Sequence, residues 1–324
     1  MVGSENESPW ERLKQIGFDT NAMLLSILIG LFIVAGFLSS GFLKWENLFN
    51  IARIISLTGI MAAGITFVML VGEIDLSVGA IMSLSAVVGG RFVHLGVIPV
   101  LLITIGTGLV LGFINGIGVV KGKVPSLIMT LATLTIYSGL ANIVCGGKAV
   151  YPYQLPVYLW LGNGHIFGVP FPIILFGAIT LVSILVLNYT KFGRWIYYTG
   201  ANRTASRLSG GKTDRIIITT FLISGVLASM VGPMISGQMN RIWSTQGAGY
   251  ELAAISIAVL GGASLTGGKG TMTGTFIAAL IFGGLMNILN LSGVGTYLQD
   301  VVKGGLLVFV VGMMYLREDR MKAV

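Results

Sequence analysis

IARIISLTGIMAAGITFVMLV, residues 51–71, holds one charged side chain, Arg53, in 21 positions. At 1.5 Å per residue it makes a helix about 31 Å long, the thickness of a bilayer's hydrocarbon core. Gly72 and Glu73 end the run, and another apolar stretch begins at Leu76. Carried outward, the same reading finds ten apolar runs at roughly 22–42, 51–71, 76–90, 95–119, 124–144, 171–190, 216–236, 251–266, 271–292 and 298–316. They are continuous rather than alternating, which disfavours a closed β-barrel and predicts an all-α polytopic membrane protein. The third and eighth runs are short and begin at acidic, Gly-punctuated sequence, so eight full spans plus two broken or re-entrant ones is the alternative count.

Composition agrees. Of 324 residues, 54% are hydrophobic and 10% charged, and 47 are glycine, against about 25% charge and 7% glycine in soluble domains. That excludes a soluble enzyme and a disordered chain, and the single Cys145 excludes an internal disulfide scaffold.

Basic residues accumulate in cytoplasmic loops. With ten spans and an inner N-terminus, the inner islands hold fourteen Lys and Arg and the outer islands four, namely Lys44, Arg91, Lys148 and Arg241. Both termini are therefore expected in the cytoplasm. The net charge of +8 then reports topology; scattered among spans, these residues form no groove for nucleic acid. Residues 1–21 read as a cytoplasmic tail, residues 22–316 as one transmembrane domain, and 317–324 as a second cytoplasmic tail. Ser8-Pro9-Trp10-Glu11 carries helix-start residues, which fits a short interfacial helix before the first span or else a mobile tail. The loop 145–170, with Pro152, Pro156, Tyr151, Tyr153, Tyr158 and Trp160 and almost no charge, suits an outer cap near the headgroups. The loop 190–215, with six basic residues and one acid, is the strongest cytoplasmic signal.

Candidate chemistry is sparse. Residues 261–270 resemble a phosphate-binding loop only superficially, because the glycine spacing is wrong and Gly270 stands where a hydroxyl residue is needed. His94 and His165 have no neighbouring His or Cys, so neither a metal site nor a catalytic residue is expected. What remains is polar side chains at membrane depth. Glu73, Asp75 and Ser77 lie between two apolar runs, Glu251 opens the eighth, and Asp300 can neutralise Lys303 three residues on. Asp75 either caps the third helix, taking the backbone N–H groups of Leu76 to Gly79, or lines a path. Asn142, Asn287, Asn290 and Gln299 either bond helix to helix or contact a polar passenger. The glycines from Gly261 to Gly284 are either tight static packing or a sliding surface. The two short acid-led segments, 72–90 and 249–270, occupy corresponding places in the two halves, which is compatible with an internal repeat.

Three stretches in order are similar to the permease subunits of bacterial ribose-type sugar ABC importers: Met69 to Gly79, Gly193-Arg194 through Gly200-Ala201-Asn202 to Gly210, and Gly249-Tyr250-Glu251-Leu252 through Gly261-Gly262 to Gly270. The resemblance covers about residues 50–316. It implies a homodimer in the inner membrane, an ABC ATPase on the cytoplasmic face that binds the ATP, a periplasmic sugar-binding protein, and no cofactor in the chain itself. It also implies that Asn202, Arg203, Ala205, Arg207, Leu208 and Gly210 belong to a coupling helix that docks on the ATPase. Arg203 and Arg207, at i and i+4, would suit an acidic-lined socket. Glu73, Asp75, Ser77 and Glu251, with Asn287 and Asn290, are the candidates for the translocation path and its gating. Glu73 departs from the family, which more often has glycine there; the carboxylate either adjusts gating or is an exposed loop charge. The rival reading is an H+- or Na+-coupled secondary transporter, expected to carry an ionisable pair deep in a span.

Overall fold

The computed structural model describes residues 9–149 and 156–322, and the side chains of residues 20–149 and 156–312. Thirteen α-helices occur among the described residues: α1 (Pro9–Leu38), α2 (Trp45–Leu70), α3 (Val78–Arg91), α4 (Val97–Val120), α5 (Ser126–Cys145), α6 (Pro156–Asn163), α7 (Phe171–Tyr189), α8 (Lys191–Ala201), α9 (Arg203–Leu208), α10 (Thr213–Met239), α11 (Tyr250–Leu260), α12 (Met272–Leu291) and α13 (Thr296–Lys322). A two-residue hairpin, β1 (His165–Ile166) against β2 (Val169–Pro170), is the only sheet described. Every apolar run therefore falls on a helix, as a bilayer requires, since only intra-segment hydrogen bonds can satisfy a single crossing backbone. Seven of these helices are long and apolar enough to cross a membrane, while α3 and α11 are shorter.

Burial sorts the helices. From Gly59 to Leu70 every residue of α2 is buried, and α10 is buried along most of its length. By contrast α4, α5 and α7 bury one stripe and expose Ile98, Leu102, Ile128, Ile143, Leu181 and Val182. A helix apolar all round belongs in a core, and an apolar face left open is what lipid covers. Glycine sets the closest approach: a Cβ on Gly225 of α10 would fall 3.0 Å from the Gly112 Cα of α4 and would strike the Gly108 carbonyl. Such backbone contact between helices needs small residues.

Four sequence expectations change. The eighth run was expected to reach residue 266, but α11 stops at Leu260 because Gly262, Gly267, Gly268 and Gly270 all adopt positive φ, the conformation that glycine tolerates best. No separate interfacial helix precedes the first span, since α1 runs unbroken from Pro9 to Leu38; Ser8 lies outside the described residues. Tyr158, in the loop expected to cap the outer face, turns inward. It is fully buried against α4, its hydroxyl 3.1 Å from Thr104 Oγ1, whereas Tyr151, Pro152 and Tyr153 lie outside the described residues. The glycines from Gly261 to Gly284 are packed here: Gly274 meets the Gly261 carbonyl, and Gly283 meets Ile55.

The islands assigned to one side of the bilayer meet at one end of the bundle. Gly268 N donates to Leu70 O (2.9 Å) and Thr271 Oγ1 to Asn21 Oδ1 (3.1 Å). At the other end Arg91 Nε donates to Val144 O (2.9 Å) and Asn163 Nδ2 to Gly237 O (2.7 Å).

Candidate functional site

The loop richest in basic residues folds into two short helices on the inner-island end. Thr190 Oγ1 accepts from Gly193 N (3.0 Å) and starts α8; Asn202 Oδ1 accepts from Ala205 N (2.9 Å) and starts α9. These are N-cap bonds, which supply acceptors to orphan amide groups. Gly210, at φ +89°, turns the chain after α9. Tyr197 of α8 donates its hydroxyl to Gly270 O (2.9 Å). Burial pushes that hydroxyl's pKa up to about 12, so it stays protonated and remains a donor.

On α9 the inward residue is Ser206, buried beside Thr199. The arginines three residues before and one residue after it turn to acids of the same chain: Arg203 Nη1 donates to Glu73 Oε1 (3.1 Å), and Arg207 Nη2 to Asp214 Oδ1 (2.7 Å). Both arginines thus have an acidic partner within the chain, while remaining 42% and 62% exposed. Thr204 and Ala205, four and three residues before Leu208, flank it on the opposite face, and Leu208 is 84% exposed. A cavity of about 540 Å³ opens beside this helix, lined by Glu73, Lys123, Val124, Arg203, Thr204 and Asp214 among others.

Glu73 is not an exposed loop charge, because its side chain is 12% exposed and ion-paired. Two residues deeper, Asp75 is fully buried. Its Oδ1 accepts from Ser77 N (3.0 Å) and Ser77 Oγ (2.6 Å), and its Oδ2 accepts from Ser224 Oγ of α10 (2.8 Å). Asn115 of α4 donates Nδ2 to Ser77 Oγ (2.7 Å), and Tyr137 of α5 donates its hydroxyl to Leu111 O (3.1 Å) and Asn115 Oδ1 (3.3 Å). Of the expected capping bonds, the carboxylate takes only the Ser77 amide; otherwise it clamps α3 to α10 and α4. Asn115, Ser224 and Tyr137 were not singled out from sequence. A lone amide inside the apolar run 95–119 was a readable signal for Asn115, whereas nothing marked Ser224 among the other small residues.

The remaining candidates lie elsewhere. Glu251 Oε1 accepts from Gly249 N (3.0 Å), and Gly247 N donates to Ser83 Oγ (2.9 Å), so the segment before α11 folds in against the first turns of α3. Asn287 pairs reciprocally with Asn47 (2.9 and 3.0 Å), and Asn290 Oδ1 accepts from Gln299 (2.8 Å). In this structure both amides bond helix to helix, apart from the Glu73–Asp75 cluster. No cluster of three or more His, Cys, Asp or Glu that could hold a metal occurs among the described residues.

A family model described as "Branched-chain amino acid transport system / permease component" matches residues 47–311. The ribose import permease protein of Bacillus subtilis is 38% identical over 309 residues, 92% of this chain and 94% of that protein. The ribose import permease protein of Escherichia coli K12 is 37% identical over 293 residues, 89% and 91% of the two chains. The xylose/arabinose import permease protein of Sulfolobus acidocaldarius is 32% identical over 308 residues, 92% and 85%.

Proposed function

This chain belongs to the branched-chain amino acid transport system / permease component family, and from that premise we propose that it is the membrane permease subunit of an ATP-driven importer of a small sugar. The observation that carries the reading is the likeness, along nearly the whole length, to ribose import permeases. That likeness favours a pentose-like passenger over the amino acid in the family's description. Ribose and its relatives are uncharged, and a passage that carries them needs hydroxyl and amide contacts weak enough to release the sugar.

The chain does no covalent chemistry on the passenger. A separate ATPase binds and hydrolyses ATP, and a soluble binding protein delivers the sugar on the opposite face. Two copies of the permease form a homodimer in a bacterial inner membrane, with eight full spans and the shorter α3 and α11 in each, and with both termini cytoplasmic. The loading of Lys and Arg on one end supports that orientation. Asn202, Arg203, Ala205, Arg207, Leu208 and Gly210 form the segment that the ATPase grips. With Arg203 and Arg207 neutralised by Glu73 and Asp214, recognition rests on the shape of the Thr204, Ala205 and Leu208 face, and the small residues there let a partner's backbone come close. Glu73, Asp75 and Ser77 connect that segment to the core, Glu251 braces the start of α11 against α3, and Asn287 and Asn290 hold α12 to its neighbours.

The test is sugar uptake by proteoliposomes. Permease reconstituted with its ATPase and loaded binding protein should accumulate labelled ribose only when ATP is present. Uptake driven by an H+ or Na+ gradient, with no nucleotide or partner, would replace this reading with that of a secondary transporter.

A further inference from the structure

Two contacts join the α8–α9 segment to the end of α2 and the short link that follows it, and they differ in kind. Gly200, near the end of α8, abuts Leu70 O and lies close to Gly268 N. Gly268 N donates to Leu70 O (2.9 Å) and braces the same corner. The second is the Arg203–Glu73 ion pair, which closes across 130 residues of sequence. A steric contact carries a push but parts under a pull. A charge-assisted hydrogen bond from guanidinium to carboxylate resists both. Glu73 is 12% and Arg203 42% exposed, so the carboxylate is shielded while the guanidinium remains open to the screening that weakens surface pairs.

What lies beyond Glu73 makes the connection consequential. The link 72–77 is non-helical, with Gly72 at φ +80°. Ile74 N donates to Ser126 Oγ of α5 (3.1 Å), and Thr130 Oγ1 donates to Ile74 O (3.3 Å). Asp75 then holds α10 through Ser224 and reaches α4 through Ser77 and Asn115. A displacement of Glu73 along the chain is thus passed to three membrane helices by hydrogen bonds, a contiguous physical network.

We propose that Glu73 is a positioning residue that ties α9 to the α2–α3 link through Arg203, so that withdrawal of the coupling segment pulls the membrane core back. The inference rests on the coupling role assigned to α9 above. Loss of the tie leaves the ATPase docked and hydrolysing but breaks the return stroke.

The test uses the reconstituted complex of permease, ATPase and binding protein, read as sugar transported per ATP hydrolysed, with co-purification of the ATPase measured alongside. Glu73→Gln should keep co-purification and lower that ratio by roughly fivefold or more, the lower end of usual coupling strengths, and Arg203→Gln should lower the ratio per bound ATPase as far. The reciprocal exchange Glu73→Arg with Arg203→Glu should recover it to within about twofold, as expected where two sites act only through each other. A second measurement does not depend on charge. In a Cys145→Ala background, Glu73→Cys with Arg203→Cys joined by a flexible bis-thiol reagent should transport better than the same pair left unjoined. Unchanged ratios in the single variants, no recovery on exchange, or arrest by the covalent tie would each overturn the proposal, as would loss of the ATPase from Glu73→Gln, which would make the pair a docking contact. If the unmodified complex moves no sugar with ATP, the reading of function fails instead.

Discussion

Replacing Asp75 with alanine removes the acceptor of three buried hydrogen bonds, those from Ser77 N, Ser77 Oγ and Ser224 Oγ. A buried donor left without a partner costs about 1–3 kcal/mol. The three do not simply add, because the Ser224 hydroxyl can turn to a carbonyl of its own helix. About 3–4 kcal/mol is the resulting loss. Asp75→Asn is a different perturbation. Its Oδ1 still accepts both Ser77 bonds, and its amide can donate to Ser224 Oγ, so the cost should stay near 1 kcal/mol. A competing term opposes both estimates, since burying an ionised carboxylate is itself expensive and replacing a buried charge by apolar atoms can stabilise. The three short donor contacts are the reason to expect the first effect to win. Cys145 supplies the assay: it is the chain's single cysteine and is buried, so a thiol-reactive dye reports unfolding as the temperature rises. At about 2–4 °C per kcal/mol for a large domain, Asp75→Ala should melt roughly 6–16 °C below the parent and Asp75→Asn within a few degrees. A melting temperature for Asp75→Ala at or above the parent would refute the clamp, and so would equal shifts for the two variants.

Ala205→Glu places a carboxylate on the exposed face of α9 and should leave a folded, inserted protein that no longer co-purifies with its ATPase; unchanged co-purification would defeat the coupling assignment. Gly225→Val drives a side chain into the backbone of α4 and should cost at least the 1–3 kcal/mol of an overpacked core, whereas Gly106→Ala, with nothing within 4 Å of the added carbon, should leave the dye-detected melting curve unchanged. Tyr197→Phe removes the donor to Gly270 O and should cost about 1 kcal/mol. Because folding raises the Tyr197 pKa from 10.0 to about 12, the protonated contact stabilises fully below pH 10 and fades between those two values. The Tyr197→Phe melting curve should therefore lack that part of the parent's alkaline loss, and identical alkaline profiles would argue against a buried hydroxyl.

The membrane-crossing helices were legible because lipid imposes one rule on every segment, and residues 51–71 obey it without help from tertiary contacts. Where that rule stops, so did the reading. Whether α11 ends at Leu260 or six residues later depends on positive φ at Gly262 and Gly267, and Gly267 is held by its contact with Gly72, 195 positions earlier in the chain. The arginines of α9 show the same limit. Their i, i+4 spacing was visible and their helix formed, but the spacing did not show that Glu73 and Asp214 of the same chain lie within reach of them. Spacing reports the face of a helix and not what the face meets. Asn287 was legible as a polar group in an apolar run, and its alternative roles narrowed only when Asn47 was found within 3.0 Å.

The same contacts bear on the source of energy for transport. An ion-coupled transporter needs an ionisable group that can gain and lose its ion at membrane depth while facing a cavity. Three of the carboxylates described near the spans are otherwise engaged. Asp75 has no solvent exposure and three fixed donors, Glu251 accepts the Gly249 amide, and Asp300 is closed on Lys303 at 2.8 Å. Arg53, within α2, donates to Asn50 one turn away (3.4 Å). Of these contacts the one made by Asp75 fixes helices relative to one another, while the others are closed within their own segments. Under the proposed coupling role, α9 and Glu73 are where a force from the ATPase would enter.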